Sequence, residues 1–159
     1  MDKTNSMRLL DARKILYHAK EYDPSREFHD AVEAAALIGA PVETVYKTLV
    51  VLRESKGKSL LVMIPAHREV DLKRLAKEIG EKRLRMATQR EAEQLTGLQV
   101  GGISALALLQ RGFEVCLDVS AQALEMIHVS AGVRGIDLEL GVKDLIAVTR
   151  AKVVRAASD

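Results

Sequence analysis

The chain has no tryptophan, two phenylalanines and three tyrosines in 159 residues. Proteins that hold single-stranded nucleic acid commonly stack its bases on aromatic side chains, so a general single-strand binder is disfavoured. A single cysteine, Cys116, excludes an internal disulfide and agrees with a reducing compartment. Long apolar runs are missing too. SLLVMIPA and TLVVL are far too short to cross a bilayer, and the N-terminal MDKTNSMRLLDARK lacks the apolar core of a signal peptide. A cytoplasmic protein without a membrane partner is expected. Nor is there an excess of one charge: with 24 basic against 22 acidic residues the net charge is +2. A nucleic-acid partner then has to be held by a local basic patch of small footprint, and no DNA partner is expected.

What the chain does have is 48% hydrophobic residues, enough at this length to bury a real core, and no repeat, low-complexity tract or linker. One domain over 1–159 is expected. Ser6 as N-cap, followed by Leu9, Ala12, Leu16 and Ala19 at helical spacing, predicts a first helix that runs to the break at Tyr22-Asp23-Pro24. A second is predicted from about Asp30 to Ile38, with Gly39 as its stop. The apolar runs 48–52 and 59–66, joined by RESKGK, predict a β-hairpin. Asp71 caps a helix that carries Leu72, Leu75, Ala76 and Ile79 on one side and ends at Gly80. RLRMA is extended. Thr88 and Glu91 have the spacing of a capping box for a short helix that stops at Gly97. FEVCLD, MIHVSA and IDLEL are β-like, VKDLIAVT is helical, and AKVVRAA closes the sheet as a last strand. Helices and strands alternate without a βαβ rhythm, which predicts an α+β fold with a mixed sheet.

Standard catalytic and metal motifs are absent. His18, His29, His67 and His128 are scattered without ligand spacing or a second cysteine, so no metal is expected. Ser104 is not in a nucleophile elbow, and Cys116 lies inside the alternation of Phe113, Val115 and Leu117, which marks it as core. Two features stand apart. GLQVGGIS, residues 97–104, carries three glycines within six residues, which uncovers backbone N–H groups able to hold an anion; it fits neither the dinucleotide fingerprint nor a P-loop, and for an isolated glycine pair a helix cap followed by a tight turn is the favoured explanation. Lys47, at the entrance of the apolar strand TLVVL, either reaches solvent at the strand end or sits in a polar cleft with an anionic partner.

VYKTLVV, GLQVGGIS and HVSAGVRGIDLEL, in this order and at these separations, resemble the YbaK/EbsC family of aminoacyl-tRNA deacylases, which is related to the editing domain inserted in bacterial prolyl-tRNA synthetases. The likeness runs from about Ala12 to Val154. It implies a curved mixed β-sheet, barrel-like and wrapped by helices, and a free-standing editing enzyme that hydrolyses the ester of mischarged tRNA, best known for cysteinyl-tRNA(Pro), with no cofactor. By position, Lys47 falls on the family's critical lysine and Thr48 on its neighbour in the pocket. Gly101, Gly102 and Ile103 fall on the loop whose backbone amides approach the ester, with Ser104 beside them. Ser130, Gly132 and Asp137 fall on the far wall.

The resemblance also implies substrate-assisted attack by the thiol of a cysteinyl ester, in which Cys116 has no part. For another amino acid a water is needed instead, oriented by Thr48 or Asp137. Two positions depart from the family pattern. Ala105 replaces a common proline, and Lys20 stands where a pocket tyrosine is expected. Tyr22, two residues on, is either the substitute or a half-buried anchor. Lys73, Arg74 and Lys77, with Lys82, Arg83 and Arg85, form a candidate surface for the tRNA acceptor end, although an ordinary solvated helix face has the same pattern. The modest net charge makes prolyl-tRNA synthetase a candidate partner. The competing reading is a non-catalytic module of this fold that binds a tRNA end, a nucleotide or a synthetase.

Overall fold

The computed structural model describes residues 2–25 and 31–159. Helix α1 (Asn5–Ala12) starts two residues earlier than expected: Thr4, and not Ser6, is its N-cap and accepts from the Met7 amide. Ser6 is buried, and its hydroxyl donates to the Ala131 carbonyl at 2.9 Å. The helix also stops far short of Tyr22. Lys14 takes a left-handed φ of 57°, which ends the helical ladder. The chain then enters strand β1 (Tyr17–Glu21). The helical spacing of Leu16 and Ala19 misled here because a strand fits it too: Ala19 packs on the core beside Tyr17, whereas Leu16 is 87% exposed.

Helix α2 covers Ala31–Ile38; Asp30, expected to open it, lies outside the described residues, as does His29. The hairpin forms as expected. Strands β2 (Tyr46–Arg53) and β3 (Leu60–Pro65) are antiparallel, with register from Tyr46 opposite Pro65 to Val51 opposite Leu60. Asp71 caps α3 (Leu72–Ile79) by accepting from the Arg74 amide, and Gly80 ends it in the left-handed region. Strand β4 (Leu84–Met86) follows, then α4 (Gln89–Thr96) with a complete Thr88–Glu91 capping box and Gly97 as its C-cap. The remainder is β5 (Glu114–Asp118), β6 (Met126–Ser130), β7 (Ile136–Gly141), α5 (Val142–Thr149) and β8 (Lys152–Val154).

The fold is α+β with a mixed sheet, but the strands divide into two sheets, neither closed on itself. One has the order β4-β2-β3-β5-β8, with β3-β5 and β5-β8 parallel; the other has the antiparallel order β1-β7-β6. A parallel bridge from Val45 to His128 joins them. The larger core contains Tyr46, Val50, Leu61, Leu117, Val129 and Leu138; a second one, containing Val51, Val62, Leu75 and Cys116, lies under α3. Strand β5 therefore alternates between two cores and not between core and water. Cys116 is buried, which pushes its thiol pKa up, as befits a packing residue. Among the described residues no helix is long and apolar enough to cross a membrane.

The C-terminal segment is tied down by Asp118, whose carboxylate accepts from the amides of Ala156 and Ala157, both at 2.8 Å, and from Ser120 at 3.1 Å. Burial pushes this carboxyl up, but the hydrogen bonds outweigh it and leave the pKa below its usual value. The segment pairs in turn with residues 69–71, through Asp71 N to Ala156 O and Ser158 N to Glu69 O, both 2.8 Å, and so orients Glu69. Asp118→Ala strands buried amides at about 1–3 kcal/mol. Urea unfolding at pH 7 is expected to show that loss. The difference should shrink as pH falls through the depressed folded-state pKa, because protonation removes the same acceptor.

Candidate active site

Strand alternation and register assemble the site. In the smaller sheet Ser130 lies opposite Asp137, which lies opposite Lys20; one step along, His128 lies opposite Glu139, which lies opposite His18. These six share a face. The other face carries Ile127, Val129, Leu138, Leu140 and Ala19 into the core. The Val45–His128 bridge sets β2 beside β6 in parallel, so Lys47, two residues beyond Val45, falls on the same side as Ser130 and Asp137. Thr48 points the opposite way, and its Oγ1 is buried with no hydrogen-bond partner. Among the expected residues, then, Lys47, Ser130 and Asp137 come together on one face, and Thr48 lies behind it.

Lys47 is partly shielded, its side chain 22% exposed, with Nζ 3.7 Å from Oε1 of Glu69, which is itself 85% exposed. Such a pair is weak and readily exchanged for another anion. Asp137 differs. It is 6% exposed, its carboxylate has no hydrogen-bond or ion-pair partner among the described residues, and burial raises its pKa to about 6. Tyr22 continues the parity of Lys20 beyond the strand end. Its amide donates to the Gly135 carbonyl at 2.9 Å. Burial raises its phenol pKa, a backbone hydrogen bond from Gly135 opposes this, and Asp137 and Arg134 both act on it. Tyr22 thus stands at the Asp137 end of this face, two residues beyond Lys20.

Two loops close one end. Gly101 has a φ of 94°, and the Gly102 amide is spent inside the turn on the Gln99 carbonyl at 2.8 Å. Of the three amides expected to approach an ester, those of Gly101 and Ile103 have no hydrogen-bond partner among the described residues, whereas that of Gly102 does. What Gly102 contributes is the absence of a side chain: a Cβ there would lie 2.9 Å from the Arg134 nitrogen and 3.0 Å from the Val133 carbonyl carbon. The 101–103 loop therefore rests on the β6–β7 turn. In that turn Gly132 has a φ of 100°, and its amide donates to the Ser130 hydroxyl at 3.1 Å. Ser104 is 1% exposed, and its Oγ accepts from the Ala107 amide at 3.2 Å. It caps a turn and is committed to that task. Ala105 has a φ of −62°, the angle proline would impose, so the replacement leaves the loop its shape.

The chain matches the model of the aminoacyl-tRNA editing domain over residues 25–148. It belongs to that family. A relative from Enterococcus faecalis, named as a candidate Cys-tRNA(Pro)/Cys-tRNA(Cys) deacylase, EbsC, is 33% identical over 147 residues, covering 92% of this chain and 88% of the relative. Two solved structures share the fold of this editing domain. One is a hypothetical protein with a TM-score of 0.86 at 24% identity, covering 98% and 100% of the two chains. The other is a candidate trans-editing enzyme for prolyl-tRNA synthetase, with 0.78 at 22% identity over 100% of both.

In this editing domain the expected tRNA-contacting residues lie on α3, which begins three positions after Glu69. Lys73 and Lys77 are exposed. Arg74 is engaged with Asp71, the Ala157 carbonyl and Asp159. Arg85 is held bidentately by Glu91, both contacts at 2.8 Å. Sequence reasoning missed His128, which is buried and placed between Thr44 Oγ1 at 3.1 Å and Glu139 Oε2 at 3.0 Å. Burial lowers its pKa against the pull of Glu139. Polar residues at alternate positions in both apolar strands, His128 and Ser130 in one, Asp137 and Glu139 in the other, were the available signal for a polar sheet face.

Proposed function

We propose that this editing domain, as one unit over residues 1–159, is a trans-acting aminoacyl-tRNA deacylase whose substrate is Cys-tRNA(Pro). The observation that carries the proposal is the convergence, on one sheet face and the loops at its end, of a weakly held lysine, an unpartnered buried carboxylate and two unpaired backbone amides. Ester hydrolysis builds negative charge on the carbonyl oxygen, and amides such as those of Gly101 and Ile103 stabilise that charge without having to reorganise. Lys47 exchanges Glu69 for the phosphate of the terminal adenosine and so holds the ester against the loop. Asp137, ionised above about pH 6, takes the substrate's α-ammonium or orients an attacking water. Thr48, on the other side of β2, supports the strand from behind. Tyr22 lines the amino-acid end of the pocket.

For a cysteinyl ester the substrate thiol is the nucleophile: its sulfur bonds to the carbonyl carbon as the tRNA 3′-oxygen leaves with a proton, and water later opens the thioester. The burial of Cys116 is consistent with this division of labour. Lys73 and Lys77 position the acceptor stem, and prolyl-tRNA synthetase supplies further affinity and tRNA identity. The test is deacylation of Cys-, Ala-, Ser- and Pro-tRNA(Pro) and of Cys-tRNA(Cys) at catalytic protein concentrations. Turnover of Cys-tRNA(Pro) with Pro-tRNA(Pro) spared is expected. Equal turnover of all five would overturn the specificity, and turnover of none would overturn the reaction.

A further inference from the structure

Arg134 was assigned no role by the sequence, and its surroundings give it one. It sits in the β6–β7 turn directly over Gly102, its own amide nitrogen being the atom a Cβ on Gly102 would strike. Its Nε is buried and donates to nothing, and no carboxylate pairs with it among the described residues. Buried donors in native proteins are nearly always satisfied, so an orphan of this kind asks for a partner from outside. The nearby Asp137 is not that partner: its pKa is raised by burial, without an opposing cation. Arg134 nevertheless acts on the Tyr22 hydroxyl, which places its charge at the end of the polar face. A guanidinium that lacks a counter-ion among the described residues and offers a buried N–H is suited to a planar or tetrahedral oxyanion.

We propose that Arg134 is a substrate-binding residue which donates through Nε to a phosphate oxygen of the acceptor end's terminal nucleotide. This rests on the reading of the face as a tRNA-end site, but it does not require turnover. Lys47 contributes a mobile point charge, and Arg134 a directional donor that sets how far the nucleotide enters beneath the 101–103 loop.

The test is calorimetric binding of adenosine 5′-monophosphate, adenosine and inorganic phosphate to the wild type, Arg134→Gln and Arg134→Lys, each shown to be folded by circular dichroism. The expected result is a loss of about 10- to 100-fold in affinity for the monophosphate in Arg134→Gln, with adenosine unaffected and inorganic phosphate weaker than the monophosphate throughout. Arg134→Lys, which keeps the charge and loses the Nε donor, should recover only part of the loss. In deacylation both variants should raise KM and leave kcat within about twofold. An unchanged monophosphate affinity in Arg134→Gln, an equal loss for adenosine, or full recovery by Arg134→Lys would each overturn the assignment, as would a wild type that binds no monophosphate. A wild type that binds it but cleaves no ester would instead remove the deacylase reading and leave Arg134 in place.

Discussion

Asp137→Asn is expected to make the protein more stable at pH 8 by about 3 kcal/mol while reducing deacylation at least ~100-fold. Burial lifts the Asp137 pKa from 3.8 to about 6, so the folded state binds the proton more tightly than the unfolded chain does. Each unit is worth about 1.4 kcal/mol. Below pH 3.8 the carboxyl is neutral in both states and the fold incurs no penalty. Between 3.8 and about 6 stability falls as pH rises, and above about 6 the whole cost of holding a buried, unpartnered carboxylate is present. Asparagine mimics the neutral acid and escapes that cost. Urea unfolding at pH 4 and pH 8 should therefore show nearly equal wild-type and variant stabilities at the lower pH and a gap at the higher one. A variant destabilised at both would mean that the carboxylate is satisfied in the fold and is not held in reserve for a ligand.

Gly102→Ala should leave a folded protein whose deacylation rate is down about 100-fold. The added methyl would press on backbone atoms, the Arg134 nitrogen at 2.9 Å and the Val133 carbonyl carbon at 3.0 Å, and a backbone cannot swing aside as a side-chain tip can. The 101–103 loop must lift, carrying the amides of Gly101 and Ile103 out of line. Gly112→Ala is the control. It also has a positive φ, 82°, but a Cβ there meets nothing within 4 Å, so it should carry a backbone cost of about 1 kcal/mol and keep its activity. Equal activity losses in the two variants would show that the effect is on stability and not on the docking of the two loops.

Much of this architecture was legible in the chain because it is written in short-range chemistry. The Asp71 and Thr88 caps, the stops at Gly80 and Gly97, and the 46–65 hairpin each depend on residues a few positions apart. The 17–21 segment was misjudged because its neighbour β7 lies more than a hundred residues away and only that pairing selects strand over helix. The site divides in the same way. Ser130 and Asp137 share a face through a period-2 pattern visible in the sequence, whereas Lys47 joins them only through the long-range Val45–His128 bridge. The spending of the Gly102 amide on its own turn, the commitment of Ser104 to Ala107, and the orphaned Nε of Arg134 arise from loop contacts that no spacing encodes.

The central claim is that Lys47 and the facing loops act together on an aminoacyl ester. It is tested most directly by single-turnover deacylation of Cys-tRNA(Pro) with excess wild type, Lys47→Ala and Lys47→Arg, alongside tRNA binding by the same three proteins. Loss of deacylation by at least ~100-fold in Lys47→Ala, partial return in Lys47→Arg, and retained folding are the predicted results. Undiminished deacylation in Lys47→Ala would contradict the account. So would a wild type that binds the tRNA and leaves the ester intact, which would make this face a docking site for the acceptor end.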